Sequence, residues 1–290
     1  TEISDLLKKF NEKGKKIGIA GEHLMPFYLR DILTKAMPDV QFPIVTKIID
    51  DMRKIKSKKE IELMEKAANI NDKVLTELKD IIKVGMTEHQ VVAHADFLGR
   101  QLGADLGSAT VVMAGKNTKF PAWRATNKKL EKGELLMVDF NPAIGNYCND
   151  GGITFLMPGA TKFKTEALIN SHKILKKTIN SIRSQTKATS VHDSFYELLK
   201  PLKLDSNFSP YVTGTRGTGH GVGLDVVEKP DLNKFSDFIF YPRMTLAIKL
   251  DLHELEGQGL RVEQVVEITE KGARPLNKLA LKVSNDWAIL

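Results

Sequence analysis

The chain has 290 residues, 42% apolar and 27% charged, the proportions of an ordinary soluble globular protein rather than a fibrous or disordered one. No apolar run approaches the ~18 residues a membrane helix requires, and the opening TEISDLLKKF lacks the apolar core of a signal peptide. The net charge of +7 comes from scattered lysines with no aromatic-interleaved basic ladder, which reads as a solvated surface and argues against a nucleic-acid partner.

In chain order, Lys15 to Ala20 (KKIGIA) predicts a short strand, His23 to Met37 a helix closed by Pro38, and Phe42 to Val45 a second short strand. Such an α/β unit is too small to bury much core alone. From Ile48 the pattern turns helical, with Ile61, Met64, Ala67, Ala68, Val74, Leu75 and Leu78 along one face as far as Gly85. Thr87 and Gln90 have capping-box spacing and open a helix through Leu102. Strands follow at Ala109–Ala114, Leu135–Phe140 and Ile153–Met157, helices at Thr165–Arg183 and Val191–Leu199, and strands at Thr245–Leu250 and Val262–Ile268. This order of helices, strands, helices and strands predicts an α+β domain with a mostly antiparallel sheet.

Asp139 ends an apolar strand and Asp150 follows eleven residues later, across the turn-rich NPAIGNYCND. That interval allows a strand, a reversal and a return, so the two carboxylates could stand side by side, and such a pair repels unless a cation lies between. For a lone pair, two turn or strand-edge aspartates are the plainer account. His220 lies in GTGHGVG, where three glycines remove side-chain bulk and let the backbone approach a site closely. Glu263 alternates with apolar residues in GLRVEQVVEIT, and an outward-facing glutamate with Arg261 as its neighbour remains open. Carboxylates with imidazole form a donor set for a hard-to-borderline divalent ion. Cys148, the sole cysteine, excludes an internal disulfide, fits a reducing cytoplasmic location and reads as a core filler. The histidines other than His220 have no ligand-like spacing and read as surface or capping residues.

Together MRKIKSKKEIELMEKAANI, KVGMTEHQVVA, LEKGELLMVDFNPAIGNYCND, GTGHGVGLDVVEKP and GLRVEQVVEITEKG, spread from Arg53 to Leu276, resemble the pita-bread hydrolases of the creatinase, prolidase, aminopeptidase P and methionine aminopeptidase group. The resemblance implies an α+β pita-bread domain over residues 51–290, a mostly antiparallel sheet flanked by helices. It implies that residues 1–50 are a remnant or short form of an N-terminal α/β domain. Asp139, Asp150, His220 and Glu263 become the implied metal ligands, for manganese, cobalt, zinc or iron, and the substrate a small peptide or other small amide. The resemblance places the loop of Trp123 near the substrate, with a partly exposed interface anchor as an equal reading, and a homodimer is in keeping with the family. Arg216 could clamp a substrate carboxylate, although a surface arginine is the plainer account.

The sequence departs from that pattern at one ligand position. Where glutamate followed by Pro-Gly is expected, LAIKLDL places Lys249, Leu250 and Asp251, while Val227 and Ala122 occupy positions where prolidase-type sites carry histidines. Three carboxylates with one ammonium sum to −2, the charge one divalent ion neutralises, so one ion or none is expected instead of two. At ~4 Å and an effective dielectric near 20, each ammonium–carboxylate contact is worth about 4 kcal/mol before desolvation. A lysine among carboxylates keeps its proton and serves poorly as a general base, though it can stabilise an oxyanion or protonate a leaving group. Lys249, Glu263 and His220 are therefore the candidate catalytic residues of a prolidase-like, metal-assisted hydrolase. Two alternatives stand beside it. A metal-free creatinase-like hydrolase is disfavoured by the paired aspartates. A catalytically inactive binding protein is favoured by the lost base and the +7 charge, and disfavoured by four retained ligand candidates.

Overall fold

The structure is a computed structural model and describes residues 2–10, 16–120, 124–208, 217–279, 288 and 290. It divides into two units, Thr1–Arg53 and Lys54–Leu290. The first contains helices α1 (Glu2–Phe10), α2 (Phe27–Ala36) and α3 (Thr46–Lys54, whose last residue opens the second unit). The two strands predicted on either side of α2 appear only as isolated parallel bridges, Lys16↔Gln41 and Ile19↔Ile44. Ile19 and Met37 are the buried apolar side chains among the described residues of this unit, too few to drive a longer ladder.

The helix expected to run unbroken from Ile48 is interrupted. Ile55 bridges Met244, the Lys56 amide donates to the Arg243 carbonyl, and Ser57 then caps a new helix with Glu60 closing the box. That helix, α4 (Lys58–Ile81), buries Ile61, Met64, Ala68, Asn71, Val74, Leu75 and Leu78 on one face. The predicted Thr87–Gln90 capping box opens α5 (Glu88–Gln101). Helices α6 (Lys162–Ser181) and α7 (Thr189–Leu199) complete the set.

Three antiparallel sheets organise the second unit. Strands β1 (Asp105–Leu106), β4 (Pro142–Ile144) and β5 (Tyr147–Cys148) form the smallest, in the order β1-β4-β5. Strands β2 (Val111–Ala114), β3 (Leu135–Phe140) and β6 (Gly151–Leu156) form the second, in the order β2-β3-β6. The third runs β11-β10-β9-β7-β8, from β7 (Gly219–Gly221), β8 (Glu228–Leu232), β9 (Thr245–Leu255), β10 (Gln258–Thr269) and β11 (Gly272–Pro275). Strands β9 and β10 extend beyond the predicted limits because a tight turn returns the chain on itself and pairs Leu255 with Gln258. Helix α4 packs on β3 to β6, α5 on β2, and α6 on β9 to β11.

The second and third sheets meet where β6 and β3 pack against β10. There the Thr154 hydroxyl accepts from the Arg261 amide and donates to the Arg261 carbonyl, both at 2.9 Å, joining two edges that share no ladder. Fully buried Phe140, Phe155, Phe195 and Phe240 anchor the surrounding core, each worth about 1.5–3 kcal/mol of transfer free energy. The polar residues of interest sit at this junction of sheets.

Candidate metal centre

Strand alternation brings five polar side chains to one face of the large sheet. In the β9–β10 register Arg261 opposes Asp251 and Glu263 opposes Lys249, so these four form a square of neighbours. His220 opposes Ala247, two residues before Lys249, and joins the same face. Strand β7 is squeezed between β8 and β9. Gly219 has φ +146°, and a Cβ there would stand 1.9 Å from the Ala247 carbonyl oxygen, so only glycine admits His220 to this place.

The second sheet supplies two aspartates. Asp139 lies on β3 opposite Gly152 of β6, and Asp150 immediately precedes β6. All seven residues (Asp139, Asp150, His220, Lys249, Asp251, Arg261 and Glu263) are at most 6% exposed. Four carboxylates therefore face two fixed cations, which leaves two negative charges while His220 is neutral.

One oxygen from Asp150, one from Glu263 and a ring nitrogen of His220 all lie within 4.8 Å of one another. The His220 Nδ1 is 3.0 Å from the Gly221 carbonyl, which holds a proton there and turns the Nε2 lone pair towards Asp150 Oδ2 at 3.2 Å. Two acceptors at that distance call for a proton or a cation between them. Donors on one ion, each about 2.1 Å from it, stand roughly 3 Å apart, so the spacing suits a shared metal. Glu263 Oε1 and Asp139 Oδ1 are buried with no hydrogen-bond partner among the described residues, a second sign that the donor set fits a cation. Asp139 itself stands beside this trio and not within it.

The close ion pairs belong to Arg261, which the sequence offered only as a neighbour of Glu263. Its guanidinium grips Asp251 through Nε and another nitrogen at 2.8 and 2.9 Å, meets Asp139 Oδ2 at 2.9 Å, and lies 3.9 Å from Glu263. Lys249 is buried beside the cluster, 3% exposed, but acts on its carboxylates from further off than the ~4 Å contacts expected of it. Asp251, which the sequence reading noted only as a departure from Pro-Gly, is the second residue whose place was missed. Its signal was the i, i+2 alternation with Lys249.

Burial, then Asp139, raises the Asp150 carboxyl well above its ordinary range, against the opposing pull of Lys249 and Arg261. Burial and Asp150 push Glu263 up to about 8 against Lys249. Asp251 goes the other way: burial opposes its charge, but Arg261 and then Lys249 outweigh it and hold the carboxyl below its usual range. The cluster thus sets one carboxylate favoured in the charged state beside two whose charge burial and mutual repulsion disfavour and a cation would relieve.

Other expectations lie elsewhere. Trp123, Ala122 and Arg216 fall outside the described residues. Val227 sits between β7 and β8, 37% exposed. Cys148 is buried in a small apolar cluster with Met64, Ala68 and Val222. His172 and His253, expected at the surface, are instead buried at 7% and 9% exposure. The first lies on a core-facing side of α6, and the second follows Asp251 on the site face of β9.

Residues 62–270 match the profile of Metallopeptidase family M24. The chain belongs to that family. A Xaa-Pro dipeptidase of Pyrococcus furiosus is 26% identical over 239 residues, covering 82% of this chain and 67% of its own length. A Xaa-Pro dipeptidase of Pyrococcus horikoshii is 27% identical over 265 residues, covering 91% and 73%. The solved prolidase from Pyrococcus horikoshii superposes with a TM-score of 0.84 at 26% identity, covering 94% of this chain and 77% of that one. These matches bear out the pita-bread, α+β architecture. Among the described residues no helix is long and apolar enough to cross a membrane.

Proposed function

We propose that this M24 member is a metal-assisted hydrolase of the Xaa-Pro dipeptidase type whose cluster takes a single divalent ion, not a pair. The observation that carries this is the buried trio of Asp150, His220 and Glu263, with donor atoms within 4.8 Å and two negative charges left uncompensated around it. Asp150, His220 and Glu263 would hold the ion, with Asp139 beside them. When bound, such an ion supplies an acidified water and a polarised substrate carbonyl.

This chain's own residues provide the rest. Glu263 Oε1, which has no hydrogen-bond partner among the described residues, is placed to take the proton of the attacking water. The Lys249 ammonium stabilises negative charge developing on the carbonyl oxygen and can give a proton to the leaving nitrogen. Lys249 and Arg261 set two fixed positive charges against a second ion, which ties the stoichiometry to the sequence. Trp123 and Arg216 are proposed substrate contacts, a small peptide is the proposed substrate, and a cytoplasmic homodimer the proposed setting.

Metal analysis of protein purified without chelator is expected to give one ion per chain among manganese, cobalt, zinc and iron. A panel of Xaa-Pro dipeptides is expected to be cleaved with manganese, cobalt or zinc added, and spared in EDTA. Two tightly held ions would overturn the single-ion account. Turnover that survives EDTA would point instead to a metal-free creatinase-like hydrolase, and no turnover with any ion to a binding protein.

The Lys249→Glu variant offers a gain-of-function test. It restores a carboxylate and removes a cation, so the uncompensated charge rises by two and a second ion becomes favourable. We expect two ions per chain and dipeptide hydrolysis increased on the order of 10²-fold, the usual contribution of a well-placed acid–base group. A variant that still takes one ion would show that Lys249 does not set the stoichiometry.

A further inference from the structure

The strands that carry Asp139, Asp150 and Glu263 are joined by a network of buried side-chain amides that the sequence did not single out. Asn71 of α4 donates one amide group to two carbonyls, Phe140 at 2.5 Å and Gly151 at 2.9 Å. Phe140 and Gly151 face each other at the last step of the β3–β6 ladder, and each directly follows a site aspartate. A single carboxamide therefore ties together the two strand ends that adjoin the aspartates. Gly151 makes room for it, since a Cβ there would stand 2.7 Å from Asn71 Oδ1.

The network continues through Asn277. Its amide nitrogen donates to Asn71 Oδ1 at 3.1 Å and Asn149 Oδ1 at 3.2 Å, with longer contacts to Asp72 Oδ1 (3.3 Å) and the Ala68 carbonyl (3.5 Å). Its side-chain oxygen accepts from Asn149 Nδ2 at 3.0 Å and from the Val265 amide at 3.2 Å, and its carbonyl from Gln264 Nε2 at 2.6 Å. Asn149 precedes Asp150, while Gln264 and Val265 follow Glu263. Asn277 thus ties the chain beside one proposed ligand to the chain beside another.

We propose that Asn71 and Asn277 are positioning residues that set the separation of Asp139, Asp150 and Glu263 and so the cluster's affinity for a divalent cation; this rests on the single-ion reading above. Carboxylates confined together repel, and the strands relieve that repulsion by spreading unless something holds them. Asn71, Asn149, Gln264 and Asn277 are at most 3% exposed and hold by hydrogen bonds alone, adding no charge that would compete with the cation. A leucine at position 71 keeps the branched heavy-atom outline but leaves the Phe140 and Gly151 carbonyls without this donor.

The test is a manganese titration by calorimetry on folded wild type, Asn71→Leu and Asn277→Ser, well below their melting temperatures. Thr178→Val serves as control, because it removes a part-buried hydrogen bond between α6 and α7, helices that carry no residue of the cluster. We expect the manganese dissociation constant to rise on the order of 10–100-fold in both amide variants and to stay unchanged in the control. Crystal structures should show the three carboxyl groups displaced in the amide variants. If Asn71→Leu does not fold, Asn277→Ser decides the matter alone. Unchanged manganese affinity alongside a lowered melting temperature would overturn the proposal, reducing both residues to structural ties. If wild type itself binds no manganese, the single-ion reading fails, and the crystal structures then decide: carboxyl positions that match wild type would overturn positioning as well.

Discussion

Replacing Arg261 by leucine is expected to cost about 3–5 kcal/mol of folding stability at pH 8, the usual loss when one partner of a buried ion pair is removed. Arg261 is 4% exposed and meets Asp251 through two hydrogen bonds and Asp139 through one. Without it, both aspartates are buried with no compensating guanidinium, and Lys249 is too distant to replace a bidentate grip.

The loss should depend on pH in a defined direction. In wild type, Arg261 holds the Asp251 carboxyl below its unfolded value despite burial, so this pair contributes fully above the ordinary carboxylate range and is lost as the pH falls through the folded pKa. In Arg261→Leu burial acts unopposed by that charge and lifts the same carboxyl, so the variant's stability declines as the pH rises. Urea unfolding followed by circular dichroism at pH 8 and pH 5 should show a gap between the two proteins that shrinks at the lower pH. Arg261→Lys keeps the charge without the fork and should lose less. A gap of constant size would mean that water reaches the two carboxylates.

Periodic segments were legible from the sequence because apolar residues recur at the spacing that buries them. The faces of α4 and α5, the paired capping residues and the strand LLMVDF all follow from local pattern. Strand β7 was invisible to that logic. Its three residues, Gly219 to Gly221, have no propensity for a strand and take their form from β8 and β9 on either side. The break between α3 and α4 was equally hidden, since it is made by Met244 and Arg243, nearly 190 positions away in sequence.

The candidate centre shows the same division. Asp139, Asp150, His220 and Glu263 stood out through their motifs, yet nothing local shows that Asp139 spends an oxygen on Arg261 while the other three converge. Charge counting gave −2 from three carboxylates and one lysine. The structure gives the same sum from four carboxylates and two cations, because Asp251 and Arg261 enter together and cancel. Asn71 and Asn277 were unreadable for a different reason. On an apolar helix face Asn71 looks like a defect until its partners, 69 to 206 positions away, are known, and Asn277 lies past the end of β11 with no periodic pattern of its own.

A second large effect is expected from acidification, and it centres on His172. This residue of α6 is 7% exposed, and neither ring nitrogen has a hydrogen-bond partner among the described residues. Burial alone pushes its pKa from 6.5 down to about 4. The folded value lies below the unfolded one, so between them the unfolded chain accepts a proton that the folded chain refuses. Stability from this residue is therefore whole above pH 6.5 and falls as the pH drops towards 4, by ~3 kcal/mol in all and ~2 kcal/mol between pH 7 and pH 5. His172→Leu removes the titration and two buried polar atoms, and it keeps every other ionisable group of the wild type. The variant is expected to match or exceed wild type at pH 7, with its advantage in unfolding free energy larger by ~2 kcal/mol at pH 5. An advantage that does not grow on acidification would show that the imidazole charges within the fold, with a partner to receive it.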